Sequence, residues 1–231
     1  MNMIKPALLC IAIAGALTSA LPAAADTPGE PGRDSGKPNP LKNVYFGEQH
    51  LHTTNSPDAF VVGVRQSWDE AYQWAQGKEV KLSTSGERIK KRTPYDFVAI
   101  TDHAEYFGIM PSLIDPKDPL FKTELAKKLR DKDADPHDPD SGINQIIASL
   151  VLGEPMKEFV SPDLQSNNWS RYVATANKYN DPGKFTTLIA YEWTSIPNGR
   201  NMHRNVFFRG DTGPTVPFTA FDSIYPEDLW T

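Results

Sequence analysis

Cysteine is almost absent from this chain of 231 residues. The single cysteine, Cys10, lies in an N-terminal segment that we predict to be removed. The remaining chain therefore forms no disulfide within itself, and it offers neither a cysteine nucleophile nor a thiolate metal ligand. Any metal bound by the remaining chain must be held by nitrogen and oxygen atoms.

Positive charge and long apolar runs are also scarce. Lysine and arginine number 24 against 29 aspartates and glutamates, which gives a net charge of −5, and no basic stripe is present. The chain thus lacks the electrostatic pattern of a nucleic-acid binder. Beyond residue 25 no apolar run reaches the ~20 residues that a membrane span requires. We expect no nucleic-acid partner, and no membrane association after the N-terminal segment is cleaved.

The N-terminal segment has the pattern of a secretory signal. Met1–Lys5 carries a positive charge, Ala7–Leu21 is apolar and small, and Ala23–Ala25 fits the small-residue cleavage pattern. The alternative is an uncleaved membrane anchor, but the apolar run is interrupted and is too short to span a bilayer. We predict a signal peptide over residues 1–25 and export to the periplasm or the extracellular space.

Residues 26–42 are rich in proline, glycine and charge, and we predict a flexible linker there, followed by one folded domain over residues 43–231. Four short apolar runs in that domain predict strands: Val44–Gly47, Phe97–Ile100, Thr187–Tyr191 and Asn205–Phe208. Helical patterns lie between or beside them: Val64–Gln76, Phe121–Leu129, Ile143–Leu152 and Trp169–Tyr179. Strands that alternate with helices predict an α/β fold with a parallel sheet.

Histidines and carboxylates cluster at the edges of the predicted strands. The residues concerned are His50, His52, Asp58, His103, Glu192 and His203. In barrel-like α/β folds the active site lies at the carboxyl ends of the strands, so these side chains are expected to meet. Imidazole and carboxylate ligands suit zinc, manganese and iron. The joint pattern predicts a shared metal site.

Several of these residues also have an ordinary structural explanation when taken singly, and His203 alone would more often be structural. His50 and His52 could be exposed polar residues at a strand end, and Asp58 could be a turn residue. Glu192 could pair with Arg200 or Arg204, because a buried carboxylate needs a partner. His203 precedes its apolar run, so whether it reaches the same face as the other histidines is left open.

The motifs that carry these residues resemble the PHP superfamily (polymerase and histidinol phosphatase). The first two motifs are residues 46–53, Phe-Gly-Glu-Gln-His-Leu-His-Thr, and residues 96–103, Asp-Phe-Val-Ala-Ile-Thr-Asp-His, with Asp58 between them. Residues 191–193 and 202–205 resemble a third motif and a later histidine of that superfamily. The combination is most similar to an uncharacterised, often exported bacterial branch.

The resemblance implies a partial, distorted (β/α)7 TIM-like barrel that hydrolyses phosphoesters of small molecules with two or three divalent ions of zinc, manganese or iron. It implies that the ligands are His50, His52, Asp58, His103, Glu192 as the bridging carboxylate, and His203. Of the remaining residues, Asp102 would orient His103 or accept a proton from water. Arg204, together with Arg200, would hold an anionic phosphate, because the guanidinium fork matches its oxygens.

One departure from the superfamily pattern is that no Asp-x-His motif follows Glu192. We therefore predict that the sequence is an N-terminal fragment with an incomplete site. Two alternatives stay open at this stage. One is an amidohydrolase-type barrel, which also begins with His-x-His but requires a metal-bridging lysine. The other is an exported module that binds metal or a ligand without turnover.

Overall fold

The computed structural model describes residues 43–131, 135 and 137–230, and its central element is a mixed sheet. The strands are β1 (Gly47–Leu51), β2 (Glu79–Lys81), β3 (Arg88–Lys90), β4 (Phe97–Ile100), β5 (Thr186–Ser195) and β6 (Met202–Phe207). Strands β2 and β3 form an antiparallel hairpin, and the others form a four-stranded sheet in the order β1-β4-β5-β6. The predicted signal peptide and linker lie outside the described residues.

The first three strands of the sheet run parallel, as predicted. The predicted first strand, Val44–Gly47, is misplaced, because β1 begins only at Gly47 and Val44, Tyr45 and Phe46 are exposed outside any strand. The fourth, β6, runs antiparallel to β5, with His203 opposite Thr194 and Asn205 opposite Glu192. Glycine is required at position 47, because a Cβ atom there would lie 2.2 Å from the carbonyl oxygen of Phe97. This close approach fixes the pairing of β1 with β4 at their amino ends.

The sheet curls so strongly that its two edge strands approach one another. Strands β1 and β6 are three positions apart, which in a flat sheet would separate them by about 14 Å. Yet His50 Nδ1 on β1 lies only 3.0 Å from Asn205 Oδ1 on β6. The described residues therefore form a mixed α/β structure with a curled half-barrel sheet. The predicted α/β class is confirmed, whereas a TIM-like barrel is not.

The described residues form six α-helices, and four of them correspond to the predicted helical patterns. They are α1 (Pro57–Val61), α2 (Trp68–Ala75), α3 (Glu124–Arg130), α4 (Gly142–Leu152), α5 (Pro162–Tyr179) and α6 (Pro226–Leu229). Serine side chains at positions 67, 141 and 161 cap the amino ends of α2, α4 and α5 by accepting a backbone hydrogen bond. Within the described part of the chain, no helix is both long and apolar enough to cross a membrane.

Two apolar cores hold these elements in place. The first lies between the sheet and helices α2 and α5, and its aromatic members include Trp68, Tyr172 and Trp193. The Tyr172 hydroxyl donates a hydrogen bond of 2.7 Å to the carbonyl oxygen of Ile100, which ties α5 to the carboxyl end of β4. The second core packs α3 and α4 against the segment that follows β4. Both cores thus support the carboxyl end of the central strands.

Candidate metal centre

All six predicted ligands line one cavity of about 390 Å³ on the concave side of the sheet, together with Asn205. His50 belongs to β1, Glu192 to β5 and His203 to β6, while the remaining ligands lie in or beside the segments after β1 and β4. The predicted strand over residues 187–191 continues to Ser195, so Glu192 lies inside a strand and not at its end. An isolated parallel bridge between His103 and Glu192 continues the pairing with β5 beyond the carboxyl end of β4.

Glu192 lies at the centre of the cluster and is only 2% exposed. Its Oε2 atom is 2.8 Å from His52 Nε2 and 3.6 Å from His103 Nε2. The other carboxylate oxygen, Oε1, is 2.8 Å from His203 Nδ1. His50 Nε2 is somewhat farther away, at 3.9 Å from Oε2. One buried carboxylate therefore faces four imidazole rings.

Two of these central atoms are buried but form no hydrogen bond with any described residue. They are His52 Nε2 and Glu192 Oε2, which lie close together without hydrogen-bond geometry. Buried polar atoms are nearly always paired, because leaving them unpaired costs free energy. A cation held between the two atoms would satisfy both, so the residues present fit a metal ion.

The ligand atoms fall into three overlapping groups, and within each group they lie within 4.8 Å of one another. The first group is His50, His52 and Glu192. The second group is His52, Asp58 and His103. The third group is His103, Glu192 and His203. Because each of His52, His103 and Glu192 belongs to two groups, the cavity could hold two or three ions that share ligands.

Neighbouring polar side chains orient the imidazole rings. The Thr194 hydroxyl lies 2.8 Å from His103 Nδ1 and 2.9 Å from His203 Nδ1. His50 Nδ1 contacts the side-chain amide of Asn205. Such contacts set the tautomer of a ligating histidine and direct its other nitrogen toward the metal. For His50 and His103 they leave Nε2 facing Glu192.

The charges of the cluster stabilise one another in the metal-free protein. Burial lowers the pKa of His52, but the carboxylates of Asp58 and Glu192 more than offset this effect and raise it to about 10. The pKa of His103 is raised in the same way, against the effect of burial, mainly by Asp58. Burial raises the pKa of Asp58, yet His103 and His52 hold it well below its ordinary value. In the metal-free protein the two carboxylates thus favour the protonated form of His52 and His103.

Thr194, Asn205 and Glu105 are among the residues near the site that the sequence did not reveal. Glu105 is fully buried, and burial raises the pKa of its carboxyl to about 7, although the neighbouring His103 acts in the opposite direction. Each of the three stands two positions after a predicted ligand. Because alternate residues of a strand point to the same side, this spacing was the available signal for Thr194 and Asn205.

The position of the Asp102 side chain does not support the role predicted for it. Its carboxylate is completely buried and accepts hydrogen bonds from Thr53 N at 2.6 Å, Thr53 Oγ1 at 2.7 Å and Trp68 Nε1 at 2.7 Å. It neither lines the cavity nor orients His103, whose Nδ1 is bonded by Thr194. Asp102 instead joins the segment after β1 to the amino end of α2.

We expect the substitution Asp102→Asn to lower the free energy of unfolding by about 1–3 kcal/mol, because the new amide group would face the Trp68 N–H donor and leave it unpaired. Urea denaturation measures the change, with the exposed Asp211→Asn as a control that should unfold like the wild type. If Asp102→Asn kept wild-type stability while metal-dependent activity disappeared, the structural assignment of Asp102 would be wrong.

Arg204 also lies away from the cavity. His203 and Asn205 on β6 line the cavity, so the residue between them points to the opposite face of the strand. The Arg204 guanidinium donates a hydrogen bond to the carbonyl oxygen of His203 and is exposed. Arg200 is likewise exposed and does not line the cavity. The predicted phosphate-binding role of these arginines is therefore not supported by their positions.

Comparison with protein families shows where the chain belongs. The family described as "Protein of unknown function (DUF3604)" matches residues 39–231, which include every residue of the candidate metal centre. No curated protein and no solved structure matches the chain. The matched segment covers most of the sequence, and the chain therefore belongs to the DUF3604 family.

Proposed function

We propose that this chain is an exported metal-dependent hydrolase that acts on phosphoesters of small molecules. The observation that carries the proposal is the buried Glu192 carboxylate, whose Oε2 atom faces three imidazole Nε2 atoms without a hydrogen bond to any described residue. We further propose that the curled sheet is part of a distorted (β/α)7 barrel of the PHP superfamily, which the order of the motifs along the chain supports.

The donor set favours zinc, manganese or iron. All donors are imidazole nitrogens or carboxylate oxygens, and no thiolate is present in the described residues. Divalent ions in such a site activate water for attack and stabilise the negative charge that develops on a phosphoryl group. The proposal assigns two or three ions to the overlapping ligand groups.

We assign different roles to the buried and to the exposed side chains of the cavity. Glu192 and His52, both largely buried, would fix the position of the ions, and Thr194 would hold two of the rings in place. His50, Asp58 and His203 are between 42% and 54% exposed at the mouth of the cavity. A cavity of about 390 Å³ with this open side is large enough for a small phosphoester.

The direct test is metal analysis and turnover on the same preparation. Protein reconstituted with zinc or manganese should hydrolyse aryl phosphates or bis-aryl phosphates, and the double variant His50→Ala/His103→Ala should lose both the metal and about a thousandfold or more in kcat/KM, because several kcal/mol of charge stabilisation disappear. The matched control is His137→Ala, which removes an exposed histidine outside the cavity. A double variant that keeps metal and activity would refute the assignment.

A second candidate function is metal or ligand binding without turnover. It is favoured by the lining of the cavity, which includes no arginine or lysine side chain to hold a phosphate. The same lining speaks against an amidohydrolase-type site, since that site requires a bridging lysine. Stoichiometric metal binding without hydrolysis of any phosphoester would select the binding module over the enzyme.

A further inference from the structure

A second cavity, of about 470 Å³, lies directly beside the candidate metal centre. Three of the proposed ligands, Asp58, His103 and His203, line both cavities. A ligand whose anionic group lay among the histidines would therefore have the second cavity within reach of its remaining atoms. The second cavity is therefore accessible to a ligand that is bound at the metal centre.

The walls of the second cavity are mainly apolar. Helix α4 has no charged residue and contributes four aliphatic side chains at helical spacing: Ile143, Ile146, Ile147 and Leu150. Val61 of α1 and Ile196 after β5 contribute to the lining as well. Ile147 is 49% exposed although it is a large aliphatic residue. An apolar wall that stays exposed beside a polar site is typical of a ligand pocket.

A buried carboxyl group also lines this cavity. Glu105 accepts backbone hydrogen bonds through Oε1 from Ala220 at 2.8 Å and from Thr194 at 3.3 Å. Its other oxygen, Oε2, is buried and has no hydrogen-bond partner among the described residues. A ligand pocket commonly combines apolar walls with a few such polar groups. Glu105 Oε2 lies 3.9 Å from His103 Nδ1, so Glu105 adds such a polar group to the second cavity beside the candidate metal centre.

We propose that the second cavity, which we call the apolar subsite, binds an aliphatic or aromatic group of the substrate, so that the preferred substrates are phosphoesters of apolar alcohols. This inference rests on the proposed function of the neighbouring metal centre. A small-molecule group is the favoured occupant because the cavity shares three ligands with that centre. A protein docking on α4 would instead cover Val151 and Leu152, which are exposed but do not line the cavity.

The test measures binding separately from turnover. Methyl-, butyl- and hexylphosphonate, which cannot be hydrolysed, are titrated calorimetrically into the zinc-loaded full chain. We expect the dissociation constant to fall about two- to fourfold for each added methylene group, as burial of that group predicts. In the variant Ile147→Asn the dissociation constant should fall by less than about twofold for each added methylene group. Val151→Asn, a change on the same helix at 45% exposure, should behave like the wild type.

The possible outcomes separate the subsite from the catalytic proposal. Affinities that are independent of chain length, an unchanged gain in Ile147→Asn, or no phosphonate binding at all would overturn the apolar subsite. Equal rates of hydrolysis of methyl phosphate and hexyl phosphate would also overturn the apolar subsite. Binding that depends on chain length and on Ile147, without hydrolysis of the matching alkyl phosphates, would support the subsite and contradict the phosphoesterase.

Discussion

Three overlapping groups of candidate ligands line the metal centre. Replacing a residue that belongs to two of these groups is expected to remove two bound ions, whereas replacing a residue that belongs to one group is expected to remove one ion. The shared ligands are His52, His103 and Glu192. The ligands of a single group are His50, Asp58 and His203. The expectation follows from the overlap of the groups, since a shared side chain supplies one donor to each of two neighbouring ions.

His103 and His203 form the best matched pair for this experiment. Both imidazoles contact the Thr194 hydroxyl through Nδ1, and both lie near the Glu192 carboxylate. His103→Ala should lower the metal content by two ions and His203→Ala by one ion, as measured by elemental analysis and native mass spectrometry. Activity should fall about a thousandfold or more in His103→Ala, because it loses more of the charge stabilisation.

Folding must be checked because His103 is more deeply buried than His203. Circular dichroism and thermal unfolding of the metal-free variants provide that check, and His137→Ala should retain the full metal content. Equal losses in His103→Ala and His203→Ala would contradict the shared arrangement. Unchanged metal content in both variants would contradict the metal centre itself.

The positions of most candidate ligands along the chain could be predicted because they lie close to a short apolar run, whereas Asp58 was identified only by the resemblance of its motif. Phe97–Ile100 forms a buried strand as expected, and His103 emerges just beyond it. His203 could not be placed, because its position depends on the antiparallel pairing of β6 with β5, which only the folded sheet determines. The curl that brings His50 to Asn205 is likewise a property of the whole sheet.

One physical cause explains why the side chains of Asp102 and Arg204 lie away from the cavity. Each residue is adjacent in sequence to a ligand, and neighbouring residues in an extended chain point to opposite sides. Asp102 therefore faces Trp68 and Thr53, while His103 faces the cavity. The same alternation separates Arg204 from His203. Strand periodicity, applied to both pairs, would have excluded these roles.

Much of the segment between β4 and α5 could not be predicted from local patterns. It includes short 3-10 helices at Met110–Leu113 and Pro119–Lys122, where prolines interrupt any regular period. Its apolar residues are buried in the second core, which forms only when α3 and α4 pack together. That packing presents the aliphatic residues of α4 beside the metal centre, and the apolar subsite depends on it.

The stabilisation by metal is expected to increase strongly with pH. In the metal-free protein the carboxylates of Asp58 and Glu192 outweigh burial and raise the pKa of His52 to about 10, from an ordinary value of 6.5. Because the folded-state pKa is raised, the His52 contribution to stability is fully present below pH 6.5 and is lost as the pH rises toward 10. Asp58 has a lowered pKa, so its contribution is present above its ordinary value of 3.8 and is lost in acid.

Metal ions reverse this dependence because they bind neutral imidazoles and must displace the protons. At pH 5.5 zinc should raise the melting temperature little, since His52 and His103 hold their protons firmly. At pH 8.5 the competition from protons is weaker. A free zinc concentration of about 100 times its dissociation constant then adds about 2.7 kcal/mol. For a domain of this size that corresponds to an increase of about 5–10 °C.

Thermal unfolding at pH 5.5, 7.0 and 8.5, with zinc and with a chelator, measures both dependences. With the chelator, the protein should have its highest melting temperature near pH 5.5. The increase in melting temperature caused by zinc should be greatest at pH 8.5. Glu192→Gln removes a shared negative ligand and should largely abolish the zinc effect, while His137→Ala should preserve it. An increase that is the same at all three pH values would show that zinc does not displace protons from the histidine cluster, and the candidate metal centre would then have to be abandoned.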